Sequence, residues 1–307
     1  MNRMKTIISC LLFCVLSGVL CANERDKLSD YVYEDTKQLV TLVEDAAASI
    51  EHKGAAAFVD FEVKGSRWFN DKYYLFIYDL ACKCVFHPVE PGLVGQDLSS
   101  FKDIARRPVI TLIADIGKKS QPNASGWVFY LWEDSWHSLP RWKSSYIRKA
   151  IAPDGMIYLV GSGSSNIKME KAFIQERVDM AVDLILAKGR DAAFSELNDD
   201  ACPLHILNSY IMVVDKNGDI VVDPAFPALG RKRNVLDFHD KTGRYIAREI
   251  LESLKKIDRI WTFFIWPKGD VNRLTRHLMY VHKVNVGDEV FYVAAYFAPV
   301  TPVWMKQ

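Results

Sequence analysis

What the chain lacks narrows it first. Its 307 residues contain six cysteines, and Cys10, Cys14 and Cys21 all fall within the first 22 positions. Beyond that leader only Cys82, Cys84 and Cys202 remain, too few for a disulfide framework. Cys82 and Cys84 stand two apart on an expected strand and point the same way, a poor geometry for a mutual bridge. A link from either to Cys202 is the alternative to free buried thiols. Neither sign of charge dominates, with 39 Lys and Arg against 38 Asp and Glu. The basic field that drives phosphate-backbone binding is therefore missing, which argues against nucleic acid as a partner. After the leader, no apolar run approaches the roughly 18 residues of a membrane span. Spacing singles out no Ser/His/Asp, Cys/His or paired-carboxylate arrangement. His277 and His282, five apart on one strand, face opposite ways and do not share a metal. Asp215-Lys-Asn-Gly-Asp219 lacks the order and the distal Glu of a calcium loop and reads as a hairpin turn. No enzyme activity, cofactor or metal is expected.

What is present begins with that leader. Arg3 and Lys5 precede an uncharged apolar run from Thr6 to Ala22, and Asn23-Glu-Arg-Asp-Lys27 then turns sharply polar. This is a signal-peptide layout with cleavage after Ala22, and it predicts a periplasmic or secreted protein. An uncleaved N-terminal anchor and lipidation at Cys21 are the alternatives. Half of the residues are hydrophobic and a quarter charged, as in ordinary globular proteins, and the length allows two cores.

An internal repeat organises the rest. Ala56-Ala-Phe58 recurs as Ala192-Ala-Phe194, an offset of 136, which also carries Tyr74-Leu-Phe-Ile-Tyr-Asp79 onto Tyr210-Ile-Met-Val-Val-Asp215 and His87-Pro88 onto Asp223-Pro224. Val94-Gly95 matches Leu229-Gly230 at 135, and Trp127-Val-Phe-Tyr-Leu-Trp132 matches Trp261-Thr-Phe-Phe-Ile-Trp266 at 134. Tyr146 then falls on Tyr280 and Tyr158 on Tyr292, still at 134. Small drifts at turn-like places are the mark of a duplicated domain with loop deletions. The expected units are a leader at 1–22, a first module at 23–165 and a second at 166–307, with a helix over 166–189 as connector.

Within each copy the periodicities agree. Leu39, Leu42, Val43, Ala46 and Ile50 lie on one helical face, as do Val178, Ala181, Val182 and Ile185. Two short β-rich runs follow, 73–79 with 82–87 and 210–214 with 220–223, and then helical stretches at 101–118 and 241–256. Three strands close each copy, at 126–132, 142–150 and 156–162 and at 260–266, 275–284 and 290–297. Gly161-Ser-Gly163 reads as a strand end. The order predicts an α+β protein of two tandem PAS-like modules, each a five-stranded antiparallel sheet with a long N-terminal helix and further helices on one side.

The landmarks Tyr74–Asp79, His87-Pro88, Leu93-Val-Gly95, Gly126–Trp132, Ser145-Tyr-Ile-Arg148 and Ile157–Ser162 resemble those of the Cache family of extracytoplasmic sensor domains, in its single-Cache form. The likeness covers about 30–165, and the second copy is tied to the family mainly through the repeat. It implies non-enzymatic binding of a short organic acid or amino-acid-like metabolite, with the signal passed to a membrane receptor, kinase or transporter. An envelope scaffold whose modules have lost their ligands is the alternative.

Strand alternation then suggests a site. One parity of the strands at 126–132 and 142–148 holds Trp127, Phe129, Leu131, Lys143, Ser145 and Ile147; the other holds Tyr130, Trp132, Trp142, Tyr146 and Arg148. The second set mixes aromatic rings bearing polar tips with a cation, which suits a small anion in an apolar pocket. Arg148 is the favoured carboxylate ligand because its fork reaches both oxygens, and Lys143 is second, needing a bulge to reach that face. Tyr74 and Tyr78 close the pocket, and His87 is a further candidate. The second copy offers Phe264, Trp266, His277, Tyr280 and His282, a set less cationic near neutral pH.

Overall fold

The computed structural model describes residues 28–132, 139–225, 234–268 and 271–299. The leader and its signal-peptide reading lie outside them, as does the Leu229-Gly230 match. Helix α1 (Glu34–Lys53) buries the predicted stripe of Leu39, Leu42, Val43, Ala46 and Ile50. Glu34 and Asp35 in its first turn and Lys53 in its last complement the helix dipole, and Gly54 ends it at φ 61°, a region that suits glycine. The buried Glu170 carboxylate accepts the N–H groups of Val32 and Tyr33 at 2.9 and 3.0 Å, setting an anion at the start of the helix.

The first sheet contains β1 (Leu75–Tyr78), β2 (Cys84–Phe86), β3 (Ser125–Trp132), β4 (Arg141–Ile151) and β5 (Ile157–Ser164), paired antiparallel in the order β2-β1-β5-β4-β3. Alternation gives it two unlike faces. Leu75, Ile77, Trp127, Phe129 and Tyr146 pack with α1. Phe76, Tyr78, Val128, Tyr130 and Leu159 pack with α2 (Val109–Lys118) on the other side.

The second module repeats this plan. Helix α3 (Lys171–Lys188) and the short α4 (Arg190–Leu197) precede a sheet of β6 (Met212–Asp215), β7 (Ile220–Val222), β8 (Arg259–Lys268), β9 (Val271–Val286) and β10 (Glu289–Phe297). Its order, β7-β6-β10-β9-β8, is that of the first sheet. Helix α5 (Ile246–Ser253) covers the face opposite α3. Two antiparallel five-stranded sheets, each behind a long helix, are the predicted α+β architecture.

Three local readings differ. Helix α2 begins only at Val109, because Pro108 disfavours a helical residue before it and Arg106 adopts a φ of 66°. The preceding loop is instead folded around Asp103, which accepts the N–H of Arg107 at 2.8 Å and, on edge strand β3, that of Leu131 at 2.9 Å. Asp240 does the same in the second module, accepting from Arg244 at 3.2 Å and from Ile265 on edge strand β8 at 3.0 Å. One edge of each sheet is thus capped by an aspartate at a point where it would otherwise offer an open donor. The repeat also slips once more than the residues suggest. Tyr78 pairs with Leu159 and its counterpart Val214 with Tyr292, so Leu159, not Tyr158, is the equivalent of Tyr292. A shorter β9–β10 turn causes the shift. Finally, Gly161 and Gly163 lie inside β5 rather than at its end. Cys82, Cys84 and Cys202 are free and buried, and burial pushes the Cys84 and Cys202 thiols up to about 11.

Helix α3 belongs to both cores. Ile174, Val178, Ala181, Val182 and Ile185 face the second sheet, whereas Phe173 enters the first core, its ring 4.8 Å from that of Trp127 and 5.1 Å from that of Phe129. Truncation by Phe173→Ala should therefore destabilise the first module by about 3–5 kcal/mol. Urea unfolding checks this; a cost below about 1 kcal/mol would mean that α3 does not close that core.

Candidate functional site

The register of the β3–β4 pair decides which side chains meet. Directly opposed residues share a face, and Tyr130 is opposite Lys143, Val128 opposite Ser145, and Trp127 opposite Tyr146. Tyr130 and Trp132 therefore share their face with Lys143 and Ser145. Tyr146 and Arg148 lie on the reverse face, against α1. The expected grouping of Tyr130, Trp132, Tyr146 and Arg148 is corrected by this register, and Lys143 reaches the α2 face without a bulge.

On the α2 face the Lys143 side chain is 6 % exposed. Its ammonium donates to the Tyr74 hydroxyl at 2.7 Å and lies 4.7, 5.4 and 5.7 Å from the ring centroids of Tyr74, Trp132 and Phe76. Aromatic faces at this range stabilise a cation that has lost part of its water. Tyr130 and Ser145 share a hydrogen bond of 2.9 Å beside it. His87 is 4 % exposed and packs its ring 5.3 Å from Tyr74. Its Nδ1 accepts the Glu90 N–H at 2.9 Å, so the neutral ring carries its proton on Nε2. Burial, reinforced by the Lys143 ammonium, holds His87 down at about 4. Burial also raises the Tyr78 and Tyr130 phenols far above their usual range, so both remain neutral donors. Tyr74, Tyr78, His87, Tyr130, Trp132 and Lys143 are thus brought to one face.

Gly161 and Gly163 make room for them. A Cβ at Gly163 would sit 2.1 Å from Ser145 Oγ and 3.0 Å from Lys143 Cε, and one at Gly161 would meet the Phe76 and Ile147 side chains at 2.5 and 2.6 Å. The sequence reading took these glycines for a strand end, although two glycines within a β-rich run are also a recognised sign of close approach across a strand.

The reverse face holds a different device. Glu44 on α1 accepts from the Tyr146 hydroxyl at 2.6 Å and from Arg148 Nε at 3.1 Å, and Arg148 Nη1 reaches Glu51 at 2.9 Å. The second module repeats it with other chemistry, Asp179 on α3 meeting the Tyr280 hydroxyl at 3.3 Å and His282 Nδ1 at 2.7 Å. Tyr280 and His282 therefore face α3, apart from Phe264, Trp266 and His277.

Those three occupy the α5 side, where Phe264 stacks on His277 at 5.0 Å. Through the pairing with β9, Tyr296 stands where the first module has Gly163. Its ring lies 5.4 Å from Phe264 and 6.0 Å from His277, on the side where the first module has Lys143 and Ser145 packed over glycine. Among the described residues no group of His, Cys, Asp and Glu is arranged to hold a metal, and no helix is long and apolar enough to cross a membrane.

Residues 62–170 match the family model for the Cache domain, and residues 155–301 match Single Cache domain 2. Among solved structures, the periplasmic sensor domain of a chemotaxis protein is 25 % identical, covering 48 % of this chain and 94 % of that one at a TM-score of 0.33. A Cache chemosensory domain described for carboxylic acid recognition is also 25 % identical, covering 47 % and 95 % at 0.32. The ligand-binding domain of the Pseudomonas fluorescens chemoreceptor CtaA, in complex with L-alanine, is 13 % identical, covering 94 % and 99 % at 0.32.

Two outcomes follow from the buried groups. Arg148→Met takes the guanidinium away from the buried Glu44 carboxylate and should cost about 3–5 kcal/mol, much of it recovered in the Glu44→Gln, Arg148→Met double variant; urea unfolding of the cycle measures both. For His87, the unfolded ring titrates at about 6.5 and the folded ring lower, so between those values only the unfolded chain takes the proton. Stability should fall as pH drops from about 6.5 toward 4, by up to about 1.4 kcal/mol per pH unit from this group, and His87→Gln should flatten that slope. Unfolding midpoints across this range, unchanged in slope by the substitution, would contradict the assignment.

Proposed function

The chain belongs to the Cache family, with two modules in tandem, and on that premise we propose that it is an exported, non-enzymatic sensor whose first module binds a small carboxylate through Lys143. The observation that carries this reading is the buried ammonium on the α2 face, held among Tyr74, Phe76 and Trp132 beside neutral His87. An ammonium buried among aromatic faces and donating to the Tyr74 hydroxyl is the kind of group that binds a small carboxylate. Neutral phenols and an imidazole nearby supply the directional donors that distinguish one small acid from another.

Short organic acids and amino acids are the proposed ligand class, with Tyr74, Tyr78, His87, Tyr130 and Trp132 lining the site and Lys143 as the charge partner. An acid of four to six heavy atoms gains at most about 1.5 kcal/mol per atom, so a Kd near micromolar or weaker is natural and suits reversible sensing. For the second module a structural or partner-docking role is favoured by Tyr296, whose ring takes the place of the glycine cradle. The bound state would then be read by a membrane receptor, kinase or transporter.

A thermal-shift screen of the mature protein against acetate, propionate, lactate, pyruvate, succinate and the common amino acids tests the proposal. At about 100-fold excess over Kd a true ligand stabilises by about 2.7 kcal/mol. Lys143→Met should abolish the response, and Arg148→Met should keep it on a lower baseline. Retention of the response in Lys143→Met would remove Lys143 from the site, and silence towards every acid would remove the ligand class.

A further inference from the structure

A second, differently charged recess lies between the modules. It encloses about 490 Å³ and is bounded by Asp30 and Tyr31 before α1, the first residues of β3, the opening turns of α3 and Trp261 on β8. Its size suits an organic molecule rather than a bare ion. The rings of Tyr31, Trp127 and Trp261 form its apolar walls, and Asp30, Glu176 and Asp179 supply three carboxylates against one lining cation, Lys171. Lys171 already shows the chemistry, because its ammonium rests 5.0 Å above the Trp261 ring. Two of the acids have internal partners: Arg177 donates to Glu176 at 3.0 Å, and His282, Tyr280 and Arg259 approach Asp179 at 2.7, 3.3 and 4.0 Å. Burial, together with Glu176, Asp30 and Glu170, drives the Tyr31 phenol up to about 12 despite its hydrogen bond from Trp127.

We propose that this intermodule recess binds a small organic ammonium ion, its charge facing Glu176 and Asp30 and its alkyl groups against Trp261 and Trp127. Aromatic faces combined with carboxylates favour an alkylated cation over a hydrated metal, since the rings reward a large, weakly hydrated charge. Anions are disfavoured by the same lining, so the recess and the Lys143 site select opposite charges. The recess takes Asp30, Tyr31 and Trp127 from the first module and Trp261 from the second, so an occupant bridges the two.

Isothermal titration of the mature protein with choline, butylammonium and, as an anion control, acetate tests this at low salt. Saturable binding of choline or butylammonium is expected. The Glu176→Gln, Trp261→Leu double variant should weaken it about tenfold or more, and Asp30→Asn, at an exposed position, should weaken it severalfold without touching the core. Lys143→Met should leave it unchanged, which separates this site from the carboxylate site. The proposal is overturned if neither cation binds saturably below about 50 mM, or if the double variant binds both as tightly as the parent.

Discussion

The pairing of Tyr130 with Lys143 across β3 and β4 is the constraint on which the rest depends. Because side chains alternate along a strand, that one register assigns every residue of the hairpin to a face, and a slip by one would invert all of them. It sends Trp127, Phe129 and Tyr146 to the long helix and Tyr130, Trp132 and Lys143 to the α2 side. Each face then acquires its own charge solution. Behind the sheet, a guanidinium and a phenol meet a helix carboxylate and fasten α1. In front of it, an ammonium lies among ring faces and donates to the Tyr74 hydroxyl.

The two modules share a scaffold and differ at the points where chemistry is decided. Glu44 with Tyr146 and Arg148 becomes Asp179 with Tyr280 and His282, the same lock built from a shorter acid and an imidazole. Lys143 becomes His277, and Gly163 becomes Tyr296. The last two exchanges belong together. A flexible ammonium on a four-carbon stem needs empty space over the neighbouring strand, and only glycine leaves it; a flat imidazole does not, and an aromatic ring can move in and stack. Duplication therefore preserved the packing and divided the surfaces, with a glycine and an ammonium in front of one sheet and an imidazole and a phenol ring in front of the other.

Much of this was legible in the residues because duplication prints its evidence twice. The helix stripe of α1, the hairpins and the three long strands all follow from periodicity that recurs at a nearly constant offset. What escaped depends on pairing between strands, which a single strand does not reveal. Parity within β3 and within β4 is plain, but joining the two sets requires the turn geometry between Trp132 and Arg141, and an error of one residue there moved Tyr146 and Arg148 to the wrong partners. The Tyr158 match failed for the same reason, since two tyrosines at a constant offset conceal a shorter turn. The Asp103 and Asp240 caps repeat an Asp-x-x-x-Arg spacing, but their contacts to the sheet edge are long-range and do not show in it.

Coupling between the modules has a physical basis in the helix that joins them. Phe173 and Arg177 point into the first module, where Arg177 donates to the Trp127 carbonyl at 2.9 Å, while Asp179 on the same helix holds Tyr280 and His282 of the second. A helix is stiff over so short a span, so a shift of β3 cannot be absorbed between Phe173 and Asp179. The first module's loop at Arg106 also meets Asp199 of the second at 3.3 Å, at the outer end of the segment folded around Asp103. Any ligand that reorganises the α2 side of the first sheet must therefore act against two tethers, one through the helix and one through the loop. Of these the buried helix contact is the stronger, because the Arg106 pair is exposed and such pairs contribute about 1 kcal/mol or less. The edge strand β3 is thus the element through which a change in the first site would reach the second module.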